Sequence, residues 1–87
     1  RSPDKNLLPR LIELLPINSN EDISQYAHEG EEFVYVLEGT LTLFINNEQV
    51  ELFPGDSAHY NSAIVHNWAN YTTKMVRILV VSTPNSL

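Results

Sequence analysis

Residues 26–39 read YAHEGEEFVYVLEG, and this stretch decides the fold. Phe33 to Leu37 is an apolar run of aromatic and β-branched residues, the composition of a buried strand. It stops at Glu38-Gly39, and the glycine marks a turn. The strand is entered through His28-Glu29-Gly30-Glu31-Glu32. Charged residues seldom border a core strand without a partner. That partner must be water, a backbone turn or a metal ion.

Outward from this stretch the pattern is strand after strand. Thr40–Ile45 (TLTLFI) follows Gly39, and Asn46-Asn47 is a two-residue turn before a strand over Gln49–Leu52. Pro54-Gly55-Asp56 is a turn, with Asp56 read as a turn residue. Ser57–Tyr60, Val65–Trp68 and Lys74–Ser82 are further strands, separated by turns at Asn61-Ser62 and Asn70-Tyr71-Thr72. Asn70 reads as a turn residue that holds a strand end. Upstream, Pro9 and Pro16 confine Leu7–Leu15 and favour an edge strand over a helical turn. Ile17 to Asp22 is a polar loop, and residues 1–6 a linker, which leaves 7–87 as one domain. Short strands at this spacing, with no helix of normal length, predict an all-β sandwich or barrel.

Composition narrows the function. The chain has 87 residues, no Cys and a net charge of −6. Disulfides and thiolate metal sites are excluded. Five scattered Lys/Arg against eleven Asp/Glu do not suit a phosphate backbone, so this segment is not expected to grip nucleic acid by itself. No apolar run reaches membrane-spanning length and no secretory signal is evident, so the expectation is a cytoplasmic protein without a membrane partner. A core of this size is helped by a partner domain or a second copy. Where such a second copy makes a homodimer, an exposed edge, Leu7–Leu15 or Met75–Val81, is the obvious place for it.

His28, Glu32 and His66 are the groups that could converge. His28 and Glu32 are four apart, and on extended chain even spacing shares a face, although Gly30 lies between them. Two imidazoles and one carboxylate form a divalent-metal ligand set with open positions, chemically open to iron, manganese, nickel, zinc or copper. The plainer alternative is a hydrogen-bonded core histidine beside a solvated acidic turn. Trp68 shares parity with His66, which places it at the pocket mouth or in the core. Tyr60 belongs to the core or the pocket wall. His59 has the opposite parity to Ala58 and Tyr60, so it is expected to face away from the pocket. No Ser or Thr stands in a recognisable nucleophile arrangement.

The segment His28-x3-Glu32-x6-Gly39 resembles the second half of the first cupin motif. Gly55, His66 and Asn70 fall on the Gly, His and Asn of the second cupin motif. Tyr26 stands where the first motif has its first His, and Asn61 and Ala63 stand where the second has Pro and Gly. Three His and one Glu make up the full site of that family. This chain keeps His28, His66 and Glu32. The resemblance, over residues 24–83, implies a small double-stranded β-helix, a jelly-roll-like barrel. It also implies a metal held by His28, Glu32 and His66, and a small polar ligand, with or without that metal, among these three residues, Tyr26 and Trp68.

The wording HEGEEFVYVLEG, FPGDSAHYNSAIVHNWAN and ILVVSTP is similar to the cupin half of bacterial regulators that carry an N-terminal helix-turn-helix domain. That likeness implies a ligand-sensing or dimerising domain whose DNA contacts lie in another domain. A start at Arg1-Ser2-Pro3 without Met fits such a fragment. The rival expectation is a small metal-dependent enzyme, a dioxygenase, isomerase or lyase. A purely structural dimerisation module is the third.

Overall fold

A computed structural model of the chain describes residues 5–18 and 20–84. Most of the expected linker, residues 1–4, lies outside the described residues. So do Ser19 of the expected loop and residues 85–87 of the expected domain.

Seven strands make up the regular structure of the described residues: β1 Leu8–Leu14, β2 Glu31–Glu38, β3 Leu41–Ile45, β4 Glu48–Leu52, β5 Ser57–Asn61, β6 His66–Ala69 and β7 Val76–Thr83. All pairings are antiparallel. They form a four-stranded sheet in the order β1-β7-β2-β5 and a three-stranded sheet in the order β4-β3-β6. Among the described residues no helix is long and apolar enough to cross a membrane.

Local chemistry explains the strand ends. Asn46 and Asn47 both have positive φ, 51° and 65°. A two-residue hairpin turn of this hand suits the twist of the flanking strands, and Asn tolerates that conformation better than most residues. β2 continues past its apolar run to Glu38, with a register shift against β7 between Val36 and Glu38. Leu37 sits in that bulge and is exposed.

Alternation sorts each strand into an inner and an outer face. From β2, Val34 and Val36 point inward. From β7 come Val76, Ile78 and Val80, and from β3 come Leu41 and Leu43. Ile12 and Leu14 of β1 pack against this cluster. One step along the same inner faces, the apolar layer gives way to a polar row. Tyr60 pairs with Glu32, Glu32 with Ser82 and Ser82 with Leu8, across four strands. Glu32, Tyr60 and Ser82 are all buried. The barrel therefore has a dry apolar end and a polar end, and Glu32 is the first carboxylate met beyond the core.

β1 is an edge strand, as Pro9 within it requires. Met75–Val81, the alternative edge, is instead the interior strand β7, hydrogen-bonded on both sides by β1 and β2. Its inner positions Val76, Ile78 and Val80 are fully buried, which suits a central strand and not an edge.

Candidate functional site

Glu32 is 3 % exposed on its side chain, yet four groups surround it. The Tyr60 hydroxyl donates to Oε1 at 2.5 Å. His66 Nε2 lies 3.4 Å from the same oxygen. His28 Nε2 and Arg10 Nη2 lie 3.9 and 3.8 Å from Oε2. Taking a carboxylate out of water is costly unless donors and cations replace the lost hydration. The polar row and Arg10 supply that replacement.

Each histidine is oriented by a backbone carbonyl. His66 Nδ1 is 2.8 Å from the carbonyl oxygen of Ile64, and His28 Nδ1 is 3.0 Å from that of Glu29. A carbonyl only accepts, so Nδ1 of each ring carries the proton. In the neutral ring Nε2 is then a lone pair, and in both residues Nε2 faces Glu32. Two lone pairs and a carboxylate converging on one point suit a cation placed between them. Fixing the tautomer through the far nitrogen is how metal-binding histidines are commonly held.

Donor spacing is close to that of a cation site, though somewhat wider. Donors about 2.1 Å from a common ion stand roughly 3–4 Å apart. One ligand atom from each of His28, Glu32 and His66 lies within 4.8 Å of the others, and this is the group of potential metal ligands found among the described residues. Two imidazoles and a carboxylate suit iron, manganese, nickel, zinc or copper. The residues present fit such an ion and are open to any of these.

The rings pack as well as point. His28 and His66 meet edge to face at 5.1 Å between centroids, and Tyr60 lies 5.0 Å from His66. The His28 segment is tied down by its backbone: His28 N–H donates to Ser62 O at 2.9 Å and Ser62 N–H donates to Gly30 O at 2.8 Å. The site opens into a cavity of about 460 Å³ lined by Leu8, Arg10, His28, Glu29, Glu32, Ser82, Thr83 and Pro84. That volume is within the range of small-molecule pockets.

Tyr26 and Trp68, the two expected pocket residues, occupy different places. Tyr26 exchanges backbone hydrogen bonds with His66 at 3.0 and 2.9 Å, so it fixes the strand that carries His66. Its side chain is 64 % exposed. Trp68 packs against the apolar core, and its Nε1 donates to the Tyr60 hydroxyl at 3.1 Å. Neither residue lines the cavity. His59 faces outward, paired with Glu31 at 2.8 Å, as its parity requires.

Sequence reasoning misses two members of the site. It places Tyr60 only in the core or the pocket wall, and it gives Arg10 no role. Tyr60 shares inward parity with Ala58 and pairs across from Glu32, a relation that needs the register of β2 on β5. Burial and the Glu32 hydrogen bond push the Tyr60 phenol well above its ordinary range. It is therefore a standing donor to Glu32 and does not itself give up a proton.

Tyr60→Phe should cost about 1.5–3 kcal/mol, the worth of a hydrogen bond to a charged group. It should also remove one source of alkaline instability. A folded pKa raised above the unfolded value gives stability that is present below the unfolded value of 10.0 and lost as pH rises beyond it. Urea midpoints at about pH 8 and about pH 10.5 test this. The gap between wild type and variant should narrow at the higher pH. A gap that widens would contradict the placement of Tyr60.

Comparison with known proteins agrees with this fold. The family description "Cupin domain" matches residues 13–82. The chain is 37% identical over 59 residues to the HTH-type transcriptional regulator PuuR of Escherichia coli K12, covering 68% of this chain and 32% of that protein. It is 33% identical over 60 residues to quercetin 2,3-dioxygenase of Bacillus subtilis 168, covering 67% and 18%. The chain thus spans about a third of the first and less than a fifth of the second. Among solved structures, TT1209 from Thermus thermophilus superposes with a TM-score of 0.77 at 28% identity, covering 90% of this chain and 72% of that one.

Proposed function

Because this chain belongs to the cupin domain family, we propose that it is the ligand-sensing and dimerising cupin domain of a bacterial transcription regulator, holding a divalent metal at His28, Glu32 and His66. The observation that carries the ligand-site half is the pair of oriented Nε2 atoms facing one buried carboxylate at the head of a cavity. Support for the regulator half is the likeness to PuuR. DNA contacts then belong to a domain outside this chain, consistent with the net charge of −6, and the whole protein works in the cytoplasm. The exposed face of the four-stranded sheet supports a homodimer. Leu11 opposes Leu79, Leu79 opposes Tyr35, and Phe33 opposes Val81 on that outer side.

The bound metal would supply Lewis acidity and open coordination positions to a small ligand. The protein's own part is to orient it. Ile64 and Glu29 carbonyls hold the rings, and Tyr60, itself held by Trp68, holds the carboxylate. In a regulator the ligand must bind two arrangements of the full protein with different affinity, since equal binding shifts nothing. The second reading, a small metal-dependent cupin enzyme, is favoured by the same open ligand set and by the likeness to quercetin 2,3-dioxygenase.

Elemental analysis of untagged protein, after incubation with iron, nickel, manganese and zinc in turn, tests the site. Wild type should hold close to one metal per chain. His28→Ala should lose it and keep the fold, and His59→Ala should keep both. No metal in the wild type, or retention by His28→Ala, would remove the metal from the proposal. The regulator half is tested by sequencing genomic fragments retained by the full-length protein. Discrete enriched sites are expected. Their absence, with turnover of a small substrate by the metal-loaded protein, would favour the enzyme.

A further inference from the structure

From Arg10 we infer that the cavity takes a small monocarboxylic acid, its carboxylate held between the Arg10 guanidinium and the His28–Glu32–His66 cluster. This rests on the reading of that cavity as a ligand site and adds the class of ligand. Arg10 stands on β1, opposite Val80, so it enters from the inner face of the sheet. Its Nη2 is 3.8 Å from Glu32 Oε2, too far for a hydrogen bond. Its Nε is buried with no hydrogen-bond partner among the described residues. A guanidinium has five donors in a planar fork, and a buried donor without a partner is costly. Arg10 lines the cavity with a side chain 38 % exposed, so its guanidinium is open to a solute there.

Charge and shape select the occupant. A guanidinium fork matches a carboxylate with two parallel hydrogen bonds. Glu32 already offsets one positive charge, and Glu29 also lines the cavity, so a doubly charged anion meets more opposition than a single one. Leu8 and Pro84 line it too and give an apolar body something to lie against. Arg10 and His28 approach the same Glu32 oxygen, at 3.8 and 3.9 Å, so one carboxylate-sized group reaches both the fork and the ligand cluster.

The test uses benzoate, its neutral isostere benzamide and inorganic phosphate as probes. Binding is followed by NMR titration of wild type and Arg10→Gln, each with and without prior incubation with zinc. Wild type should bind benzoate at least about tenfold more tightly than benzamide, and Arg10→Gln should lose about thirtyfold for benzoate alone. If the same Arg10-dependent preference appears in protein that takes up none of zinc, iron, nickel and manganese, the metal proposal fails while the assignment of the ligand class to Arg10 stands. Equal binding of benzoate and benzamide, unaltered binding by Arg10→Gln, tighter binding of phosphate, or no binding of any probe would each overturn it. Should Arg10→Gln not fold, the benzoate–benzamide comparison on the wild type decides.

Discussion

Gly30→Ala is expected to destabilise the protein by about 4 kcal/mol and to take His28 out of the site. Gly30 has φ of +103°, and a Cβ there would lie 1.6 Å from the Thr83 carbonyl oxygen, 2.4 Å from its carbon and 2.7 Å from Pro84 Cδ. Two of those three atoms are backbone of the central strand β7, so the clash cannot be relieved by a rotamer. Roughly 1–3 kcal/mol comes from forcing a side chain into that φ, and about 1–3 from pushing two packed segments apart. Separation also strains the hydrogen bond from Ser62 N–H to Gly30 O, 2.8 Å long, and its neighbour from His28 N–H to Ser62 O. A domain of this length has about 4–13 kcal/mol in total, so much of it would unfold. Gly55→Ala is the control. Its φ is +91° but a Cβ there meets nothing within 4 Å, so it should cost only the conformational strain, roughly 1–3 kcal/mol. Urea denaturation of both variants separates the two causes. A Gly30→Ala midpoint matching that of Gly55→Ala would mean that residues 28–30 are not pressed against Thr83.

That contact shows where sequence reasoning stops. The strands are legible because period-two burial is written directly in runs such as Val76-x-Ile78-x-Val80. His28, Glu32 and His66 are legible through motif spacing. Gly30 shows in the sequence only as a break in parity between His28 and Glu32. Its actual constraint comes from Thr83, a residue far along the chain and brought close by the pairing of β2 on β7. Arg10 escapes notice for a related reason. Each face of β1 carries a charge, Arg10 inward and Glu13 outward beside Arg77, so alternation alone does not say which one enters the barrel. The interior place of β7 is likewise hidden, because a long β-branched run suits an edge or a centre until its neighbours are known. Tyr26 illustrates the converse. Its place in the motif points to a ligand role, whereas the structure shows its backbone pairing with His66 and its ring exposed.

Asn70→Ala should cost about 3–5 kcal/mol without touching the site directly. The Asn70 side chain is buried, and its amide group is fully used. Its Nδ2 donates to the carbonyls of Leu14 at 2.9 Å and Lys74 at 2.7 Å. Its Oδ1 accepts from Thr72 N–H at 2.9 Å and from the Thr72 hydroxyl at 2.6 Å. Alanine leaves two carbonyls and two donors without that partner, at about 1 kcal/mol or more each. The loss falls where the end of β1 meets the turn leading into β7, so it loosens the strand that carries Arg10. Asn70→Asp sharpens the test, because it keeps the shape and both acceptor contacts. At neutral pH it sets a carboxylate oxygen against two carbonyls and should be at least as unstable as Asn70→Ala. Burial and those carbonyls would hold the new carboxyl above the ordinary aspartate value of about 3.9. The folded state then binds the proton more readily than the unfolded state, so the penalty shrinks as pH falls through that raised value. The protonated acid regains one donor for Leu14 or Lys74. Denaturation midpoints of wild type, Asn70→Ala and Asn70→Asp, compared at neutral pH and at about pH 4, should show Asp recovering toward wild type and Ala not. Parallel behaviour of the two variants would mean that volume, and not hydrogen bonding, is what Asn70 contributes.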